Sequence, residues 1–86
     1  RKRSTMSSDD EDIRKLIGSR IAIARKAAGL NQEELAAAVG VHKQTISRYE
    51  RGVLVPDANE ICAMVSTLNC SADFLLGFSD TLTIRG

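Results

Sequence analysis

At 86 residues the chain is one domain with room for one modest core. It opens with no signal-peptide pattern and has no apolar run near the ~20 residues that span a bilayer, which points to a cytoplasmic protein and away from the membrane. Its composition is 43% hydrophobic but only 3% aromatic, so the core must be built from Ala, Leu, Ile and Val, which favours helices over sheets.

The net charge of +1 hides a division along the chain. Residues 14–51 carry eight basic and three acidic side chains, a local net of +5, whereas residues 52–86 carry one basic and four acidic, a net of −3. A basic first half beside an acidic second half suits a face made for a polyanion.

Residues 1–8 are basic, Ser-rich and without periodicity, and are expected to form a disordered N-terminal arm. The carboxylates of Asp9, Asp10, Glu11 and Asp12 then stand where acidic groups favour a helix N-terminus. Ile13, Leu16, Ile17, Ile21, Ala24 and Ala28 follow at spacings of three and four, an amphipathic helical stripe that Gly29 stops. Asn31 as N-cap with Glu34 three residues on opens a second helix. Leu35, Ala36 and Val39 form its inner face, and Gly40 ends it after about two turns. Val41 is expected to be buried in the connector. A third helix runs from Lys43 to Glu50 or Arg51, with Ile46 and Tyr49 inward, and stops at Gly52.

Val53 to Asp57 reads as an extended link, because the residue before Pro56 avoids the helical region. Leu54 and Val55 are apolar for a free connector; a dimer contact and a helix-packing role are both open. A fourth helix from about Ala58 carries Ile61, Cys62, Val65 and Leu68 inward and ends on Asn69 as a left-handed cap. Ser71 caps a short fifth helix holding Phe74 and Leu75, closed by Gly77. The domain is thus expected over 9–77, with 78–86 a tail or linker. Cys62 and Cys70 lack the spacing of a redox or zinc site, and His42 cannot complete a metal set with them. Both are read as buried thiols, with no metal and no cofactor.

The stretch from Gln32 to Arg51 carries the chemistry. Two short helices joined by a tight turn make a helix-turn-helix. The crossing needs a small side chain, and Ala36 supplies it. The turn needs a residue free to take a positive φ, and Gly40 supplies that. Leu35, Val39, Val41, Ile46 and Tyr49 fill the inward places. The polar side chains of Lys43, Gln44, Ser47 and Arg48 lie on the face opposite Ile46 and Tyr49. Gln can bond an adenine edge with two hydrogen bonds, and Arg or Lys the two acceptors of guanine. Asn31 and Gln32 sit at a helix N-terminus, where amide donors and the dipole favour a phosphate.

With Arg25-Lys-Ala-Ala-Gly-Leu-Asn-Gln-Glu-Glu-Leu-Ala, Gly40-Val-His-Lys-Gln-Thr-Ile-Ser-Arg-Tyr-Glu-Arg-Gly, Pro56 and Leu68-Asn-Cys-Ser-Ala-Asp-Phe-Leu-Leu-Gly, the sequence resembles the lambda-repressor-like DNA-binding domains, the Cro and phage-repressor type of helix-turn-helix. The resemblance covers about residues 13–77. It implies an all-α, five-helix domain whose third helix reads double-stranded DNA, in a prokaryotic or phage transcriptional regulator, a repressor. Lys43, Gln44 and Arg48 match base-contacting positions; Thr45 and Ser47 match places that touch a thymine methyl or a phosphate. Arg51 matches a phosphate contact. Arg25 and Glu50 match a partly buried salt bridge that joins the first helix to the end of the third. Such domains bind as two-fold pairs, so a homodimer on DNA is implied, and a dimerisation or effector domain is expected beyond the 78–86 tail. Two positions depart from the family: His42 stands where Ser or Thr caps the third helix, so that cap is weaker or made differently, and Asn69 stands where Gly is common.

No Cys/His or Ser/His/Asp set and no phosphate-binding glycine loop is present, so the sequence offers nothing for an enzyme. The rival reading is a helix-turn-helix used for protein contact, as in an antitoxin or a co-activator. A protein-docking helix should show exposed apolar anchors; Lys43, Gln44, Ser47 and Arg48 are the reverse.

Overall fold

The computed structural model describes residues 6–82, with side chains from Asp10 onward. Five helices follow in order: α1 (Met6–Ala27), α2 (Gln32–Val39), α3 (Lys43–Glu50), α4 (Ala58–Leu68) and α5 (Ala72–Leu75). Their apolar stripes meet in one core of Ile17, Ile21, Ala24, Leu35, Ala36, Ile46, Tyr49, Met64, Leu68, Cys70, Phe74 and Leu75. α1 is the spine, packing on α3 and α5, while α2 lies against α3 and α4. None of the helices described is long and apolar enough to cross a membrane.

Three of the four connections end in caps that follow from local chemistry. Asn31 Oδ1 accepts from the Glu34 amide at 2.7 Å, and Glu34 Oε1 accepts from the Asn31 amide at 2.8 Å, the reciprocal cap that the spacing predicts. Asp57 and Glu60 repeat the device at the start of α4. Asn69 takes the expected left-handed cap, φ 52° and ψ 47°. Ser71 caps α5 through the Phe74 amide.

Besides Ile13, Leu16 and Ala28 of the α1 stripe, which are exposed, the structure departs from the sequence reading in four places. α1 begins at Met6, so residues 6–8, expected in a disordered arm, are helical, and the acidic cluster lies within the first two turns; residues 1–5 lie outside the described residues. In α4 the buried side chain is Met64, and Cys62 is exposed. The spacing 61, 64, 65, 68 places Met64 on the inner stripe, and Cys62 sits about 100° away from Ile61. Cys70 alone is a buried thiol, and burial raises its pKa. Val41 is only half-buried, and Val53, Leu54 and Val55 are all exposed, so none of these three has a helix-packing role.

The fourth departure is the segment after α5. Residues 78–82 turn back on the body: the Arg20 guanidinium donates to the carbonyls of Phe74 at 3.0 Å and Ser79 at 2.8 Å and to Asp80 Oδ1 at 3.1 Å. Leu82 packs on the core, and its carbonyl accepts from the Ser71 amide at 2.9 Å.

The single tyrosine ties α3 to α4. Tyr49 Oη donates to Glu60 Oε1 at 2.6 Å, and that oxygen also accepts from the Asp57 amide at 2.9 Å. Burial first, then the hydrogen bond and the carboxylate charge, hold the phenol neutral well above its ordinary range. The folded state therefore keeps a proton that the unfolded state releases near pH 10. Stability from this group is complete below that pH and falls as the pH climbs beyond it. In a spectrophotometric titration the phenolate band should be absent at about pH 10.5, and should appear only as the protein unfolds. Half-ionisation near pH 10 with the fold intact would contradict the buried pairing.

Candidate nucleic-acid interface

Two close approaches set the angle of α3. Ala36 is buried where α2 and α3 cross, and Gly40 takes φ 88°, a conformation that costs a side-chain residue dearly. The Gly40 and Val41 amides both return to the Ala36 carbonyl, at 2.8 and 3.0 Å, which ends α2 and turns the chain at once. On the other side, Gly18 of α1 lies against the last turn of α3. A Cβ there would collide with the Tyr49 carbonyl oxygen and stand 2.8 Å from that of Glu50. α1 also holds the chain just past α3, where Arg14 Nε donates to the Gly52 carbonyl at 3.2 Å.

Charge fastens the same corner. Arg25 Nε and Nη2 donate to the two carboxylate oxygens of Glu50 at 2.6 and 3.1 Å, a two-pronged pair with side chains 11% and 9% exposed. Arg25 Nη1 donates to the Leu30 carbonyl at 2.9 Å. The hydrogen bond to Glu50 raises the guanidinium's pKa, against the lowering effect of burial. Gln32 Nε2 donates to Glu50 Oε1 at 2.9 Å, so the start of α2 and the end of α3 share one carboxylate. The expected Arg25–Glu50 link is therefore present, and Gln32 is a third member that the sequence did not reveal.

With Ile46 and Tyr49 buried, the opposite side of α3 faces solvent. Lys43, Gln44 and Arg48 are exposed, and Thr45 and Ser47 are half-buried at the edge of this face. His42 is the N-cap, with φ −80° and ψ 154°, but its side chain caps nothing, as its departure from Ser or Thr implied. Arg51 is exposed just beyond α3, and its Nε donates to Ser47 Oγ at 3.3 Å. Asn31 spends its side-chain oxygen on the cap, leaving its NH2 group outward; Gln32 keeps one amide hydrogen besides the one given to Glu50. The candidate residues thus comprise donors at the start of α2, the outer face of α3 and Arg51 at its end, with Gln32, Thr45 and Ser47 half-buried among them. No group of three or more His, Cys, Asp or Glu among the described residues could hold a metal ion.

Gly18 and Arg14, which shape this corner, and Arg20, which holds the segment after α5, have no place in the sequence-based reading. Gly18 carried a signal, a glycine inside an otherwise helical stripe. Arg14 and Arg20 carried none, because they bind backbone carbonyls, which no residue type advertises.

A helix-turn-helix family model matches residues 21–75. The chain is 38% identical over 61 residues to repressor protein C2 of Salmonella phage P22, a match covering 71% of this chain and 28% of that protein. It is 34% identical over 61 residues to the HTH-type transcriptional regulator ImmR of Bacillus subtilis (strain 168), covering 71% of this chain and 48% of ImmR. The matched region thus spans less than half the length of either relative. Among solved structures, the P22 c2 repressor in complex with a synthetic operator superposes with a TM-score of 0.69 at 36% identity, over 74% of this chain and 97% of that one. The restriction-modification controller protein C.AhdI from Aeromonas hydrophila gives a TM-score of 0.67 at 27% identity, over 72% and 94%.

Proposed function

The chain belongs to the helix-turn-helix family of the Cro and phage-repressor type, and on that premise we propose that it regulates transcription by binding double-stranded DNA, with α3 in the major groove. One observation carries the reading: the buried side of α3 is apolar, while Lys43, Gln44 and Arg48 stand free on its outer side. Hydrogen-bonding side chains on a rigid helix suit base edges; a protein-docking helix needs apolar anchors. Asn31, Gln32 and Arg51 flank that face and take phosphates, helped by the amides and dipole at the start of α2. Arg25 and Glu50 touch no DNA; they hold the two helices in register.

The activity is repression, exercised in the cytoplasm by two copies on a two-fold site with half-sites one helical turn apart. A single module of this size buries too little surface for tight binding alone. The chemistry calls for no cofactor and no catalytic group.

Selection of bound oligonucleotides from a random duplex pool supplies the site and tests the reading. On that site Arg48→Ala should cost about 1–3 kcal/mol and relax the preference at one base position. Arg51→Ala should weaken binding to all duplexes alike and flatten the salt dependence. An equal loss on every sequence for Arg48→Ala would remove it from the base-reading set.

A further inference from the structure

The end of α3 carries a second positive charge besides Arg51. Gly52, the next residue, packs on α1 so closely that a Cβ there would stand 3.0 Å from the Lys15 Cα and 3.2 Å from its amide nitrogen. Arg14 reaches the same point, donating from Nε to the Gly52 carbonyl at 3.2 Å. Its guanidinium is therefore held at the same corner as Arg51, although one residue stands on α1 and the other just past α3.

Arginines with fixed partners divide here by which nitrogens they spend. Arg20 and Arg25 turn their terminal NH2 groups inward, to the Phe74, Ser79 and Leu30 carbonyls and to Asp80 and Glu50. Arg14 and Arg51 are held only through Nε, by the Gly52 carbonyl and by Ser47 Oγ at 3.3 Å. Both terminal NH2 groups of each are left over. No carboxylate among the described residues lies within salt-bridge distance of either. Lys15, by contrast, gives its ammonium to Glu11 at 3.2 Å. Arg14 is half-buried and Arg51 exposed. A tethered guanidinium with its fork open suits phosphate oxygens, because little freedom remains to be lost on binding.

Electrostatics gives the second charge a task. An anion arriving at this end of α3 meets the negative end of the helix dipole, where the carbonyls of Tyr49 and Glu50 also crowd against α1. The dipole places about half a negative charge there, which cancels much of the attraction of one arginine. Arg14 restores it. Phosphates repeat every ~3.4 Å of axis along a strand, so a backbone that meets Arg51 brings its neighbours to the same corner.

We propose that Arg14 is a phosphate-binding residue, which with Arg51 forms a two-arginine clamp on the DNA backbone at the end of α3. The clamp rests on the DNA reading above and extends its contact surface from the helix-turn-helix to the first helix. Neither guanidinium reads a base, so the clamp acts on all sequences alike.

Titration of duplex DNA from about 50 to about 300 mM salt tests it. A parent that fails to bind, or binds with no salt dependence, overturns the DNA reading and the clamp together. With the parent bound, Arg14→Gln should lower affinity about tenfold at about 0.1 M salt on every duplex, and make the slope of log affinity against log salt shallower by about 0.9. Arg14→Lys keeps the charge but not the bond to Gly52, and should keep the parent's slope. Circular dichroism melts show that both variants are folded at the titration temperature. Duplexes with a neutral methylphosphonate in place of one phosphate supply a second measurement: one position should cost the parent about tenfold and the Arg14→Gln variant nothing. An Arg14→Gln variant with the parent's slope, an Arg14→Lys variant with the shallower slope, or losses that add at every methylphosphonate position would each overturn the clamp and leave the DNA reading standing.

Discussion

Glu50→Ala should lower the free energy of unfolding by roughly 3–5 kcal/mol, a large share of the stability of a domain this small. The cost comes from what is left behind. The Arg25 guanidinium would keep one carbonyl partner, Leu30, in a site where its side chain is only 11% exposed. The Gln32 amide would lose its acceptor as well. Urea unfolding followed by circular dichroism measures the loss. Replacing both partners with apolar residues of similar size, Arg25→Met with Glu50→Leu, should recover much of it, since no buried charge then goes unpaired. The pair would be less buried than described if Glu50→Ala unfolded at the parent's midpoint.

Gly18→Ala should also destabilise, by roughly 1–3 kcal/mol, although alanine is the better helix former. Helix propensity alone predicts the opposite sign, a gain of up to about 1 kcal/mol. The sign is set by what the new methyl meets. It meets the Tyr49 and Glu50 carbonyls, backbone atoms that cannot swing aside like the end of a side chain. Relief requires α1 and α3 to separate, and α3 would then tilt away from the angle that Arg25–Glu50 and Arg14 hold. DNA affinity should fall accordingly. A Gly18→Ala variant that unfolds at higher urea than the parent would show that the helices had room.

The helix-turn-helix was legible because its determinants are local. Ala36, Gly40 and the Asn31–Glu34 cap each act within one turn of themselves, and the apolar spacing around them fixes which side of α3 is buried. The Arg25–Glu50 link was legible only through the family resemblance, since nothing in the spacing joins residues 25 apart. The misread α4 face was readable in principle. Met64 obeys the three-and-four spacing from Ile61, and Cys62 does not. The anchoring of residues 78–82 was beyond sequence reasoning, because Arg20 grips carbonyl groups that every residue possesses. Such contacts depend on where the chain has already been placed.

The candidate site divides in the same way. That Lys43, Gln44 and Arg48 share an outward face follows from helical periodicity, and the structure places them so. Gln32 donating to Glu50 requires α2 and α3 to be docked first.

The proposed function rests on the outer side of α3 lying in the groove of duplex DNA, with the chain gripping the phosphates on either flank. Titration of duplex DNA at several salt concentrations tests this most directly. With about five to seven phosphate contacts, log affinity should fall against log salt with a slope of roughly −5 to −6. Absence of binding even in dilute buffer, or an affinity indifferent to salt, would contradict it.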